Sequence, residues 1–253
     1  MKTKIICATL YLIPFLSFAW GSDGHKMVAT IAQKKLNPGV EAQVQKFLGT
    51  MTFQDAATWM DDIKSDHAYD YMKPWHYVNI EKGGTYVKSE KDDIVSELDR
   101  VIAELQKYKT MKESDVMLDL KILFHLCGDM TQPLHSGYGT DRGGNTVTVT
   151  YKQKETNLHS VWDSGIIFNE KISADNCLAM ISKWTPEQTK AIEKIDVMAW
   201  MLDSRSLLDE VYSFKNNTIT AEYATKNKPL IEQQIAKGGM RLAAVLNEVF
   251  SKE

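Results

Sequence analysis

Apolar positions recur along most of this chain with the 3.6-residue rhythm of helices, not the two-residue alternation of strands. Asp93 to Tyr108 is the clearest case, with Val95, Leu98, Val101, Ile102 and Leu105 on one stripe, spaced as a buried helix face requires. Pro38-Gly39 introduces a similar amphipathic run through Leu48. Residues 114–130, 159–169, 175–184, 186–195, 197–214 and 228–250 read the same way. Pro186 is placed to open the helix that follows Thr185. Gly238-Gly239 is expected to interrupt the last helix, at a point of close packing. Strict alternation occurs in Asn145-Thr146-Val147-Thr148-Val149-Thr150-Tyr151, after Gly143-Gly144, and predicts a small β-hairpin near residues 144–151. The expected fold is therefore all-α, a mainly helical single domain with that one hairpin. No repeat, low-complexity tract or linker divides it.

The first nineteen residues depart from this pattern. Lys2 and Lys4 precede an apolar stretch from Ile5 to Phe18, and Ser17-Phe18-Ala19 supplies the small residues of a cleavage site before Trp20. That is the pattern of a secretory signal peptide over residues 1–19. About 14 apolar residues are too few for a membrane anchor, which needs roughly 20. The expectation is a secreted or periplasmic protein, soluble and without membrane contact, whose catalytic domain is residues 20–253. Removing 19 residues from 253 leaves 234, enough for one domain with a substantial core.

Composition narrows the function. Of 30 basic residues, Lys2 and Lys4 leave with the signal, so 28 face 33 acidic ones and the formal charge is −5. The chain lacks the basic footprint of a dedicated nucleic-acid binder. Bound divalent cations would still change the balance locally and admit phosphate esters. Cys127 and Cys177 remain after Cys7 is removed, and export permits a disulfide between them without requiring one. There is no CxxC, hence no thiolate zinc site of that kind.

Histidine carries the chemistry. His125 and Asp129 are four residues apart, as are His159 and Asp163, so each pair shares one helical face. An imidazole and a carboxylate on adjacent turns can meet one metal ion; a single such pair reads more readily as a helix-surface ion pair or a capped histidine. Two pairs with His25, His76 and His135 nearby in short motifs point instead to a multinuclear metal site and metal-assisted hydrolysis. His135 follows Pro133-Leu134, which ends the preceding helix and can swing a third ligand back toward it. Cleavage before Trp20 would add a free amine to the donor list. Trp59-Met60-Asp61-Asp62-Ile63-Lys64 contributes carboxylates and a cation. His67 has no motif context and is assigned no role.

The segments WGSDGH, TWMDDIK, WHYVN, HLCGDMTQPLHSGYGTDRGGN and NLHSVWDSG, in this order, resemble the S1/P1 nuclease family of zinc-dependent single-strand nucleases and 3′-nucleotidases. The resemblance implies a phospholipase C/P1 nuclease-like fold and three zinc ions per chain. Asp61, His76, His125 and Asp129 would hold one zinc. The Trp20 amine and carbonyl, His25 and the other side of Asp129 would hold a second; His135, His159 and Asp163 would hold the third. By the same resemblance, a water made acidic between the paired zincs attacks phosphorus, and Lys64 stabilises developing charge beside the catalytic Asp129. Tyr77 and Asn79 would receive the substrate base, although the family often has Phe and Asp there. The implied substrates are single-stranded DNA, RNA and 3′-nucleotides, with 5′-mononucleotides as products, and a monomer with no protein partner is expected. Two other readings stand beside this one: a phospholipase C-type enzyme acting on lipid head groups, and a non-catalytic zinc-binding protein.

Overall fold

The computed structural model describes residues 20–88 and 90–251; the expected signal segment, residues 1–19 with its cut after Ala19, lies outside them. The chain begins with α1 (Ser22–Lys34), α2 (Val40–Leu48) and α3 (Phe53–Asp62). Helix α2 is the run expected after Pro38-Gly39. The expected runs do not include α1 or α3, whose buried faces mix apolar residues (Met27, Val28 and Ile31; Phe53 and Met60) with small or polar ones (Gly24 and His25; Ala56, Ala57 and Thr58). Capping defines the start of α3, where the Thr52 hydroxyl accepts from the Asp55 amide at 3.0 Å.

A 3-10 helix, His67–His76, and an extended segment lead to α4 (Ile94–Leu105), which opens with a capping box between Asp93 and Ser96. Helix α5 (Glu113–Asp129) is the expected 114–130 element, and every residue from Ile122 to Asp129 is buried. A helix buried all round belongs at the centre of a core. Helices α1, α2, α3 and α4 pack against it, as does the last helix of the chain.

The predicted hairpin forms, with a shifted span. Strand β1 (Thr148–Tyr151) pairs antiparallel with β2 (Lys154–Asn157), and β1 also pairs in parallel with β3 (Thr218–Ile219). Asn145 to Val147 lie outside the strand, since Thr146 turns back to donate to the Asp141 carbonyl. The hairpin turn is Lys152-Gln153, both at positive φ, 50° and 63°, which makes it type I′.

The helical run expected over 159–169 comprises α6 (Leu158–Ser160), a π-helical turn at Val161–Gly165 and α7 (Ile166–Asn169). Next come α8 (Ala174–Ile181) and α9 (Pro186–Glu193), the latter opened by Pro186 as expected. The 197–214 run divides into α10 (Val197–Arg205) and α11 (Leu208–Val211). Helix α12 (Ala221–Phe250) starts well before residue 228 and continues unbroken through Gly238-Gly239. The glycine pair therefore does not interrupt the helix, but close packing is its role: a Cβ on Gly239 would fall 2.4 Å from Ile31 Cγ2 of α1. Cys127 and Cys177 are both free and buried, and burial pushes each thiol up to about 12. Among the described residues, no helix is long and apolar enough to cross a membrane.

Candidate metal centre

Asp129, the last residue of α5, is wholly buried and faces four imidazoles. Its Oδ2 lies 2.9 Å from His76 Nδ1 and 3.2 Å from His125 Nε2. Its Oδ1 lies 3.2 Å from His25 Nε2 and 3.5 Å from His135 Nδ1. The four rings come from α5 itself, from α1, from the end of the 3-10 helix and from a short 3-10 turn at Pro133–Ser136. Asp61 at the end of α3 completes this side, with Oδ1 3.7 Å from His125 Nε2. Beyond His135, the His159 ring stacks on it at 5.1 Å, and His159 Nε2 meets Asp163 Oδ2 at 3.2 Å. The i, i+4 pairs are therefore buried in one basin and are not surface ion pairs.

Backbone carbonyls set the orientation of three rings. His125 Nδ1 donates to the Ala57 carbonyl at 2.7 Å, His135 Nδ1 to the His76 carbonyl at 2.7 Å, and His159 Nδ1 to the Gly143 carbonyl at 2.6 Å. A carbonyl only accepts, so each neutral ring carries its proton on Nδ1 and presents a lone pair at Nε2. That is how ligating histidines are held. Asp163 is oriented by Gln132, whose Nε2 donates to Asp163 Oδ1 at 2.5 Å while its Oε1 accepts from the Leu134 amide.

The basin is unsatisfied as it stands. Both nitrogens of His25 and Asp129 Oδ1 are buried and lack hydrogen-bond partners of acceptable geometry. Buried polar atoms of this kind are destabilising unless something charged meets them. Three donor groups can each surround a metal ion: His25, His125 and Asp129; Asp61, His76 and His125; and His135, His159 and Asp163. Burial, aided by the Lys64 charge, pushes His76 down to about 3, and burial pushes His135 down to about 4. Burial also lowers His25. Burial opposes charge on Asp129, but the neighbouring His125 and His135 outweigh it and hold the carboxyl well below its usual range. Burial likewise opposes charge on His125 and His159, but the carboxylates of Asp129 and Asp61 beside the one, and of Asp163 beside the other, outweigh it and raise both. A metal ion binds such imidazoles in their neutral form, so its binding would release the protons they hold.

The remaining predicted residues surround the basin. Trp20 is fully buried; its indole donates to Thr131 Oγ1 at 3.1 Å, and the next amide, Gly21, donates to the Asp163 carbonyl at 2.9 Å. The start of the described chain is thereby tied to the ends of both ligand helices. The Lys64 ammonium contacts Asp61 Oδ1. Tyr77 and Asn79 point outward from an extended segment whose alternate residues, Val78 and Ile80, are buried and donate to the carbonyls of His135 and Gly137. Tyr77 is 44% exposed, so it is not a core residue. His67 is exposed and pairs with Asp70, away from the other five histidines.

Several supporting residues were not singled out by ligand spacing. A Cβ on Gly128 would fall 2.6 Å from His25 Nδ1, so only glycine admits that ring. Gly143 adopts φ of 60° and offers its carbonyl to His159. Arg205 of α10 donates to the carbonyls of Ile80, Glu81, Ser136 and Gly137 at 2.6–3.2 Å, holding the Tyr77 segment against the 133–137 turn. Gly128, Gln132 and Gly143 lie inside the histidine-rich motif itself, which was the available signal; nothing marks Arg205.

A helical domain whose central helix ends in a buried basin of five histidines and three aspartates has the donors to hold metal ions. The chain matches the S1/P1 Nuclease family over residues 20–251 and belongs to it, which makes it an enzyme that hydrolyses ester bonds. It is 29% identical to Nuclease S1 of Aspergillus oryzae, with 98% of this chain and 97% of that protein covered. It is 28% identical to Endonuclease 2 of Arabidopsis thaliana, with 95% and 93% covered. A crystal structure of Clostridium perfringens alpha-toxin is similar at a TM-score of 0.49 and 16% identity, over 93% of this chain and 67% of that one.

Proposed function

We propose that this protein is a zinc-dependent nuclease that hydrolyses single-stranded DNA and RNA to 5′-mononucleotides and dephosphorylates 3′-nucleotides. The observation that carries the reading is the basin of buried, unsatisfied histidine and aspartate donors in a chain of the S1/P1 nuclease family. Asp61, His76, His125 and Asp129 would hold one zinc; Trp20, His25 and Asp129 a second; His135, His159 and Asp163 a third. Imidazole and carboxylate donors without thiolate suit catalytic zinc. When bound, zinc supplies Lewis-acid stabilisation of phosphate oxygens and a water of pKa near about 7.

The chain's own residues do the rest. Asp129 carries two oxygens toward different histidines and so can bridge two ions. Lys64, beside Asp61, supplies a positive charge for the phosphate as negative charge develops. Tyr77 offers an exposed ring to a base and Asn79 an amide to its edge. A base already stacked in a duplex cannot use such a ring, which favours single strands. The protein is taken to be exported and cut after Ala19, to act outside the cytoplasm, and to work as a monomer without a protein partner.

The test is metal content and turnover of residues 20–253 on single-stranded DNA, RNA and 3′-AMP, with and without a chelator. The expected result is bound zinc and chelator-sensitive hydrolysis of all three. Zinc-loaded protein that leaves every substrate intact overturns the reading.

A further inference from the structure

Tyr71 and Tyr77 are exposed by 56% and 44%, one inside the 3-10 helix His67–His76 and the other at its C-cap. A 3-10 helix has three residues per turn, so side chains three apart eclipse one another. Tyr71 and Pro74 therefore share one ridge, and Tyr77 follows it in extended backbone at the C-cap. His76, which faces the metal basin, lies between the two tyrosines in the chain.

Tyr71 is a braced ring. It packs edge-on against Trp75, with centroids 5.3 Å apart and planes at 79°, and Trp75 in turn packs against the core. Pro74 stiffens the turn between them. On the adjoining side, Asp70 pairs with both Lys73 and His67, tying successive turns together. An exposed aromatic face held rigid in this way has lost its side-chain freedom in advance, which favours stacking of a planar ligand.

We infer that Tyr71, braced by Trp75, is a second base-stacking position for single-stranded nucleic acid, further along the strand from a base seated on Tyr77. The inference rests on the nuclease reading. The 3-10 helix that carries Tyr71 ends at His76, which faces the metal basin, so the occupant of Tyr71 is the same polymer whose phosphate reaches that basin. Charged Asp70, Lys73 and His67 beside the ridge keep it from being an apolar protein-docking face. Stacking accepts every base, so this position adds affinity for length and not for sequence. It would let the enzyme distinguish a polymer from a lone 3′-nucleotide.

The experiment compares the zinc-loaded enzyme with Tyr71→Ala and Tyr71→Phe on 3′-AMP and on a short oligothymidylate. Tyr71→Ala should raise KM for the oligonucleotide by about tenfold, the worth of one stacked base. Its kcat, its KM for 3′-AMP and its zinc content should stay unchanged, and Tyr71→Phe should behave as the parent. A parallel reading uses fluorescence anisotropy of a phosphorothioate oligothymidylate on the same proteins, where Tyr71→Ala should weaken binding by the same factor. Equal losses on both substrates, or no loss on the oligonucleotide in either assay, overturn the inference while the parent still turns over. A parent that binds the oligonucleotide through Tyr71 but hydrolyses nothing overturns the nuclease reading and leaves the stacking position standing.

Discussion

Gly128 and Gln132 show how much of the centre depends on residues that would never touch a metal. Gly128 leaves the space that His25 occupies, because any Cβ there would sit 2.6 Å from the ring. Gly128→Ala should displace His25 while α5 stays folded, and metal analysis should find less zinc per chain with unchanged helical circular dichroism. Full zinc occupancy would show that the ring has another place to go. Gln132 holds Asp163 and caps the turn that presents His135. Gln132→Ala should weaken zinc binding or activity by about 10–100-fold, the usual effect of removing a ligand's orienting partner. Titration with a competing chelator would measure it. The pairs His125–Asp129 and His159–Asp163 were legible in the sequence because imidazole–carboxylate spacing on a helix is a local property. Their supports were not, since a glycine's emptiness or an amide's aim has meaning only against a distant neighbour.

Among the elements, α1 and α12 meet where Gly239 faces Ile31 and Gly238 faces Val28. This contact positions α1, and α1 positions His25. Gly239→Ala should destabilise the fold by about 1–3 kcal/mol through overpacking, read as a lower midpoint in chemical denaturation. A neutral result would mean the two helices can part without loss. The pattern of apolar residues located α4 and α5 well, because their buried stripes are aliphatic. It passed over α1 and α3, whose buried faces mix apolar with small or polar residues, and these two helices carry His25 and Asp61. It also missed β2, because Lys152-Gln153 lacks the glycine or asparagine that normally signals a type I′ turn. In α12 the tertiary contacts override two local warnings, Pro229 inside the helix and the glycine pair near its centre.

At the scale of the whole molecule, the basin draws its histidines and aspartates from α1, α3, the 3-10 helix, α5, the 133–136 turn and the 158–165 segment. No fragment could reproduce it. Trp20 is anchored to Thr131 and its neighbour Gly21 to Asp163, so the start of the domain is part of the site's frame. If the Trp20 amine is a ligand, a variant retaining one extra residue before Trp20 should fold normally yet bind less zinc and lose most activity. Thermal melting together with metal content separates this from misfolding, and normal activity with the extra residue in place would remove Trp20 from the ligand set.

What the sequence determined by itself was which donors exist, how they are spaced on their own helices, and that the chain is mostly helical. These are consequences of short-range periodicity and of side-chain chemistry, and both can be read without a partner. Only the tertiary structure decided that Asp129 sits among four histidines, that His125 and His159 turn Nε2 toward buried carboxylates, and that Tyr71 and Tyr77 are exposed while His76 between them is buried. The first of those relations joins residues tens of positions apart. All of them follow from how α5 is buried and what surrounds it, which no single segment specifies.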